Sequence, residues 1–207
     1  MISDDHPSAW NPKELQLLNH VEVFLHKPAI MKKAEDRLNG FKDAMARELR
    51  DTPASWPMDT DIERGQIARG ENNKGFPFLS LDIPQKFSKV EMFTLRTLFW
   101  WGHYLGYFLI LKGDKQDQWL TNLLAARSTP LFDGVVMSTW ATPWEWDEEQ
   151  FMPVSSAPKE EITRLVNDHA YIKIGRVHSL SDPHFANLDW TAAGMDAWRV
   201  LSGITRP

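Results

Sequence analysis

The sequence predicts an α+β fold: a mainly antiparallel sheet of five or six strands, with helices packed on one side and an N-terminal helical pair. Three observations support this class. Apolar residues recur at helical spacing over residues 13–50, strand-like segments separated by turn-forming residues follow over residues 65–179, and a helical tail is indicated over residues 182–205. Together they predict a single domain over residues 1–207 in which helices cover one face of the sheet.

The N-terminal region is predicted to be a flexible arm, residues 1–12, followed by two helices. Asn11 suits the cap of the first helix, and Pro12 suits its first turn because a missing N–H costs little there. Pro28 is expected to end that helix, and a second helix is predicted over residues 29–50. Each helix is amphipathic and is expected to lay one face on the core. The first apolar stripe consists of Leu15, Leu17, Leu18, Val21, Phe24 and Leu25.

Four strands are predicted next, each bounded by turn-forming residues. Residues 72–75 suit a tight turn because Asn and Gly tolerate positive φ. Pro84 is expected to stop the second strand. Residues 88–91 have the form of a capping box, so a helical turn could precede the third strand, or a whole helix could replace it. The predicted strands are residues 65–71, 76–83, 93–101 and 104–112.

The apolar run from Met92 to Leu111 has the length of a membrane span. It contains Arg96 and His103, however, and a central arginine is costly in lipid. Gly102 also divides the run into two segments of strand length. We therefore predict a buried β-hairpin here.

Helices and strands alternate in the second half of the chain. Asp114 is expected to cap the first of these helices. An alternation of apolar and polar residues marks the last strand. The predicted elements are a helix over residues 115–126, a strand over 135–146, a helix over 158–167, a strand over 170–179 and the helical tail from Asp182.

Composition limits the class of function. The 23 basic and 28 acidic residues give a net charge of −5, which argues against a general nucleic-acid surface. The absence of cysteine excludes disulfides, thiolate chemistry and cysteine-ligated metals. No histidine pair has metal-ligand spacing on a helix, so neither a metal nor a cofactor is expected. The N-terminus lacks a basic region followed by an apolar core, so a cytoplasmic location is expected.

Ten tryptophans are the unusual feature of the composition. One interpretation is a core built from large aromatic side chains, and the other is an aromatic-lined pocket for a small ligand. The sequence contains no dinucleotide-binding, phosphate-binding or zinc-protease motif and no nucleophile elbow. Motifs alone therefore assign no reaction.

Charged residues among the apolar strands form the first candidate site. Arg96 lies inside an apolar segment, where a charge must be paired or must line a pocket. Asp82 and Glu71 are its candidate partners, and His103 is a titratable neighbour. Arg69 shares one side of its strand with Glu71. Two interpretations stay open: a buried salt bridge, or an arginine that recognises an anion, with Glu71, Asp82 and His103 as catalytic candidates.

A second candidate site is the aromatic-acidic stretch that contains Trp144, Glu145, Trp146 and Asp147. Acidic and aromatic side chains together can hold cations or flat ligands. The alternative is an edge strand whose alternate tryptophans pack on one face. The predicted ligand-binding residues of the two sites are Arg69, Arg96, Trp100, Trp101, Trp144 and Trp146.

The first candidate site also resembles a family of uncharacterised bacterial proteins. These proteins share the pattern KGEN-x-x-G-x-P-x-x-x-LD-x-P, followed by RT-x-FWWG. Here the chain reads RGENNKGFPFLSLDIP from Arg69 to Pro84 and RTLFWWG from Arg96 to Gly102. It departs from the pattern at Arg69, where the family has lysine, and at Ile83, where the family has an aromatic residue. The resemblance implies no activity, but it supports treating the first candidate site as one constellation.

Two classes of function follow from these residues. The first is a noncatalytic domain that binds a small molecule or a protein partner through aromatic side chains, including self-association as a homodimer. The alternative is an enzyme in which Arg96 holds an anionic substrate, Asp82 or Glu71 is the general base and His103 is an acid–base partner. Membrane association would need an exposed aromatic patch with basic flanks, which the acidic balance disfavours.

Overall fold

The computed structural model describes residues 9–52 and 56–206, so residues 1–8 of the predicted arm and residues 53–55 of the following loop lie outside it. Within the described residues the fold is α+β, as predicted. The open antiparallel sheet has seven strands rather than five or six, and five α-helices accompany it. None of these helices is long and apolar enough to cross a membrane.

The N-terminal helices differ from the predicted pair. Helix α1 spans Pro12–Leu18 with Asn11 as its cap, as predicted, and α2 spans Val21–Asp51 as one helix of 31 residues. The prediction that Pro28 ends a helix is wrong, because Pro28 lies inside α2. The hydrogen bond that it cannot donate would go to the carbonyl of Phe24. That turn is exposed, so water can replace the missing donor.

The first helical stripe does not contact the core, contrary to prediction. Helix α1 has no buried residue, and the first buried residue of α2 is Met31. The first ten residues of α2, a length of about 15 Å, therefore extend beyond the buried part of the helix, although Lys27 among them still pairs with Glu71 of the first strand. This extension carries α1 away from the core.

Successive hairpins build the first half of the sheet, and the predicted hairpin in residues 92–111 is confirmed. All paired strands are antiparallel. The strands are β1 (Gln66–Asn73), β2 (Phe76–Phe87), β3 (Met92–Trp100), β4 (Tyr104–Lys112), β5 (Val136–Ser138), β6 (Phe151–Pro153) and β7 (Ile172–Ser179). Their order across the sheet is β1-β2-β3-β4-β7-β5-β6.

In this half, the prediction that Pro84 stops the second strand is wrong, and the alternatives left open at residues 88–91 are decided in favour of the strand. Strand β2 continues through Pro84, because the pairing with β3 is irregular between Asp82 and Gln85 and no ladder hydrogen bond is needed from the proline. Residues 88–91 form a turn rather than a helix, in which Ser88 Oγ accepts the N–H of Glu91 at 2.8 Å. The capping-box pattern thus marks a turn between two strands.

The strand predicted over residues 135–146 is much shorter, since β5 ends at Ser138. Residues 139–147 have no regular secondary structure and lead through a short 3₁₀ helix, Glu148–Gln150, into β6. We call residues 139–150 the covering segment, because they lie over one face of the sheet. Strand β6 itself was not predicted.

The remaining helices contribute their apolar sides to one core cluster on a single face of the sheet, together with α2 from Met31 onward. Trp119, Leu123, Ile162 and Trp198 are all buried there. The N-cap residue of α3 is Lys115 rather than Asp114, without a side-chain hydrogen bond. The tail begins with a 3₁₀ helix, Pro183–Asn187. The helices are α3 (Gln116–Ala126), α4 (Lys159–His169) and α5 (Trp190–Leu201).

The second face of the sheet carries its own aromatic cluster, built from side chains of β3 and β4. Trp146 and Phe151 pack against it from the covering segment and β6. The second face is therefore closed by irregular chain rather than by helices. Its fully buried members are Leu98, Trp100, Tyr104, Phe108 and Ile110.

Candidate functional site

Arg96 pairs with Asp82 across β2 and β3 on the second face. Its Nε and Nη2 atoms donate to the two carboxylate oxygens, each at 2.8 Å, and both side chains are largely buried. The guanidinium also lies over the ring of Trp144, 4.7 Å from the centroid. Bidentate pairing and stacking together occupy the recognition surfaces of the arginine. This geometry favours the structural interpretation, a buried salt bridge between neighbouring strands.

Glu71 is not a partner of Arg96. Its carboxylate accepts hydrogen bonds from Lys27 of α2 and from Arg69, and these contacts lie on the helix side of β1. The ion pairs hold the pKa of Glu71 below its usual value, with Lys27 as the larger cause. Arg69 and Glu71 thus belong to the opposite side of the sheet from the Arg96–Asp82 pair.

His103 lies in the turn between β3 and β4, away from the buried salt bridge. Its ring stacks on Trp100, with centroids 3.5 Å apart, and meets the edge of Phe76. Trp100 is four residues, or about 13 Å, along β3 from Arg96. The constellation predicted from Glu71, Asp82, Arg96 and His103 is therefore not formed.

The four predicted tryptophans divide between the two faces. Trp100 is buried in the second face, and Trp146 packs edge-on against both Trp100 and Phe78. Trp144 is half exposed above Arg96. Trp101 packs instead against the core on the helix side. Three of the four predicted ligand-binding tryptophans are thus brought to one face, and Trp101 is not.

Three side chains of the sheet hold the covering segment by its backbone. Tyr104 and Tyr171 each donate a hydroxyl hydrogen bond, and the ammonium of Lys173 donates two bonds. This explains why residues 139–147 form no strand: their carbonyls accept from side chains below them rather than from a neighbouring strand. The accepting carbonyls are those of Trp140, Pro143, Glu145 and Trp146.

Lys173 is the least expected of these anchors. Its residue is only 2% exposed, and the ammonium lies 3.0 and 2.6 Å from the carbonyl oxygens of Pro143 and Glu145. Burial lowers the pKa of Lys173 to about 7, and the positive charge of Arg96 adds to this effect while Glu145 opposes it. Lys173 lies between the core residues Ile172 and Ile174 in β7, so its side chain is on the opposite face of the sheet. The covering segment buries that face as well.

The covering segment and the β1–β2 turn enclose a recess of about 370 Å³. We call it the acidic cleft, because three consecutive acidic side chains line one side of it. Trp100, His103 and Trp140 supply its aromatic surfaces. Its lining residues are Lys74, Trp100, His103, Trp140, Asp147, Glu148, Glu149 and Gln150.

Lys74 reaches into the acidic cleft from the tip of the β1–β2 hairpin. Lys74 and Gly75 both have positive φ, 53° and 91°, as a two-residue hairpin turn requires. The ammonium of Lys74 donates to the carboxylate of Asp147 and lies 3.9 Å from that of Glu145. It also lies over the ring of Trp140, 5.8 Å from the centroid. The hydrogen bond to Asp147 raises the pKa of Lys74.

A lysine with positive φ is uncommon, since asparagine and glycine adopt this conformation at lower cost. The neighbouring Asn72 supports the turn by accepting the N–H of Gly75 at 2.9 Å. The predicted turn over residues 72–75 is thus confirmed. The contacts of the Lys74 ammonium with Asp147 and Trp140, rather than its backbone conformation, explain a lysine at this position.

The acidic cleft offers hydrogen-bond acceptors and aromatic faces for a positively charged group. Its wall also contains two polar atoms that have no hydrogen-bond partner in the described part of the chain, Nε2 of His103 and the indole N–H of Trp140. Among residues 9–52 and 56–206, no group of three acidic, histidine or cysteine side chains is arranged to hold a metal ion.

Sequence reasoning found part of this site and missed the rest. Glu145 and Asp147 belonged to the second candidate, for which cations or flat ligands were predicted. Lys74 was missed because it lies 73 residues from Asp147 in the chain, and only the fold brings them together. The acidic run at residues 147–149 was visible as a signal beside the tryptophans.

Comparison of the chain with protein-family models, with curated proteins and with solved structures gave no match. Function is therefore inferred from the geometry of the site. The family resemblance seen in the sequence stays a prediction.

Proposed function

We propose that the protein is a noncatalytic domain that binds a small organic cation in the acidic cleft. The observation that carries the proposal is the position of Lys74, whose ammonium lies between the carboxylate of Asp147 and the face of Trp140. A carboxylate and an aromatic face together favour a cation. These contacts of the hairpin tip support a cation as the ligand.

The negative charge and the volume of the acidic cleft both exceed what Lys74 alone requires. Asp147, Glu148 and Glu149 line it, and Lys74 is the one lysine or arginine among its lining residues. Its volume of about 370 Å³ lies in the range typical of small-molecule sites. A ligand that carries one positive charge would improve the local charge balance without displacing Lys74.

The acceptors of the cleft also select the kind of cation. Carboxylates bind N–H donors directly, so a primary ammonium or a guanidinium gains charge-assisted hydrogen bonds. A quaternary ammonium has no N–H and gains only the aromatic contact. We therefore propose ligands with N–H groups and a short apolar body.

The enzyme alternative has no comparable support. It needs an arginine free to hold an anion, and Arg96 is occupied by Asp82 and Trp144. The proposed acid–base residues lie on different sides of the sheet and in the β3–β4 turn. Binding is the function that the contacts favour.

Isothermal titration calorimetry with butylammonium and butylguanidinium tests the proposal. We expect dissociation constants on the order of millimolar for ligands of this size, and weaker binding as salt is raised. Butyltrimethylammonium should bind several-fold more weakly, and butyrate should not bind. Absence of binding by both N–H cations would contradict the proposal.

A pair of charge-matched variants locates the site. Glu148→Gln/Glu149→Gln should weaken binding of butylguanidinium about tenfold, a loss of about 1.4 kcal/mol. Glu160→Gln/Glu161→Gln removes the same charge from the first turn of α4 and should leave binding unchanged. Equal affinities in the two variants would place the ligand outside the acidic cleft.

A further inference from the structure

An apolar surface at the N-terminal end of the chain is uncovered in the described structure. It comprises α1, the residue before its cap and the first ten residues of α2, and nine large apolar side chains there are 41–72% exposed. We call it the N-terminal apolar face. Its members are Trp10, Leu15, Leu17, Leu18, Val21, Val23, Phe24, Leu25 and Ile30.

Part of the N-terminal apolar face continues the core-facing stripe of α2, whereas Leu25, six residues before Met31, lies about 120° round the helix from it. Phe24 lies seven residues before Met31, which is close to two helical turns, so both point to nearly the same side of the helix. Met31 is fully buried, and Phe24 is 72% exposed. The stripe thus runs past the end of the core without a surface to pack on.

The area of this face is close to what a stable interface needs. Aromatic side chains can bury about 200 Å² each and aliphatic ones about half of that, so two aromatic and seven aliphatic side chains at these exposures offer on the order of 700 Å². Typical monomers rarely expose a contiguous apolar patch above about 300–600 Å². About 800 Å² from each partner makes an interface of standard size.

The charges around the face favour a second copy of the chain over other occupants. Residues 10–30 carry Lys13, Glu14, Glu22 and Lys27, which sum to zero. Two copies of a neutral face meet without like-charge repulsion. In a symmetric contact, the apolar side chains of each chain cover those of the other. An anionic membrane or a nucleic acid would instead need an excess of basic residues.

We propose that the protein forms a symmetric homodimer in which the N-terminal apolar faces of two chains pack against each other. Trp10 and Phe24 are the aromatic residues of each face and serve as its anchors. The proposal is independent of the acidic cleft, which is built from the sheet and the covering segment. Loss of one property therefore leaves the other measurable.

Sedimentation velocity of the full chain over a range of concentrations tests the dimer. We expect the wild type to be dimeric at micromolar concentrations and Phe24→Glu/Leu25→Glu to be monomeric. Both side chains are exposed, so the variant should keep the circular dichroism of the wild type. Val90→Glu, at a side chain that is 71% exposed in the β2–β3 turn, should stay dimeric.

The absence of cysteine gives a second, positive test. Leu25→Cys should form an intermolecular disulfide on mild oxidation, and Val90→Cys should do so at least tenfold more slowly. A monomeric wild type would overturn the proposal, including one that sediments with vesicles of neutral phospholipid instead. A dimer that persists in Phe24→Glu/Leu25→Glu would overturn it as well.

Discussion

Lys173 shows how one buried side chain organises irregular chain around it. Its ammonium is the donor for two carbonyls of the covering segment, and burial lowers its pKa to about 7. The same residue therefore stabilises the fold through hydrogen bonds and destabilises it whenever it must be charged in the folded state. The net contribution of Lys173 to the free energy of unfolding therefore depends on pH.

Lys173→Met should remove this pH dependence. In the folded protein burial lowers the pKa of Lys173 to about 7, against 10.5 for an unburied lysine. Between these values the unfolded chain binds more protons, so the free energy of unfolding of the wild type should rise with pH, by a few kcal/mol in total. Methionine does not titrate, so the variant should lack that rise between about pH 7 and 9.5.

Urea unfolding at a series of pH values measures the difference. Lys159→Met removes an exposed lysine and should follow the wild type. Parallel curves for the wild type and Lys173→Met would show that Lys173 is not buried as described.

Arg96 and Asp82 make the second prediction at the scale of residues. Arg96→Ala leaves a largely buried carboxylate without its partner, which typically costs about 3–5 kcal/mol. Arg96→Met/Asp82→Leu removes both charges, so the double variant should be more stable than Arg96→Ala. Denaturant unfolding of both variants tests this, and a double variant less stable than the single one would contradict it.

At the scale of elements, the covering segment is the feature that builds the acidic cleft. It lacks a partner strand along residues 139–147 and is positioned by Tyr104, Tyr171 and Lys173. Burial raises the pKa of Tyr171 to about 12 and also raises that of Tyr104, so both hydroxyls keep the protons that they donate. A few side-chain donors thus bind backbone carbonyls that hydrogen bonds between strands satisfy elsewhere in the sheet.

Tyr104→Phe should loosen this segment. Loss of the 2.7 Å hydrogen bond to the carbonyl of Trp146 should cost about 1 kcal/mol. Hydrogen–deuterium exchange should become faster in residues 145–150. Tyr107→Phe removes an equivalent 2.7 Å bond to the carbonyl of Trp190 on the helix side, and is the matched control. Faster exchange of the segment in both variants would show a global effect instead.

At the scale of the whole molecule, local patterns predicted elements better than they predicted assembly. The hairpin of β3 and β4 follows from two apolar segments separated by Gly102, which has a positive φ of 80°. Strand β7 pairs with β4 across a long insertion, and no local pattern indicates that neighbour. The prediction that Pro28 ends a helix was wrong because the effect of a proline on a helix depends on whether water can reach the unpaired carbonyl.

The candidate site shows the same division. The pairing of Arg96 with Asp82 was predictable, because a charge inside an apolar strand needs a nearby opposite charge. The contact of Lys74 with Asp147 was not, because it joins a hairpin tip to irregular chain. Aromatic and acidic residues in one stretch predicted a cation or flat ligand, and only the fold shows that Lys74 contacts these residues.

The most direct test of the cation site is a ¹H–¹⁵N NMR titration of the wild type with butylguanidinium. The indole N–H of Trp140 and the amides of residues 147–150 should shift progressively to saturation, and the amides of α4 should not. Shifts centred elsewhere, or none at ligand concentrations well above the millimolar range, would contradict binding in the acidic cleft.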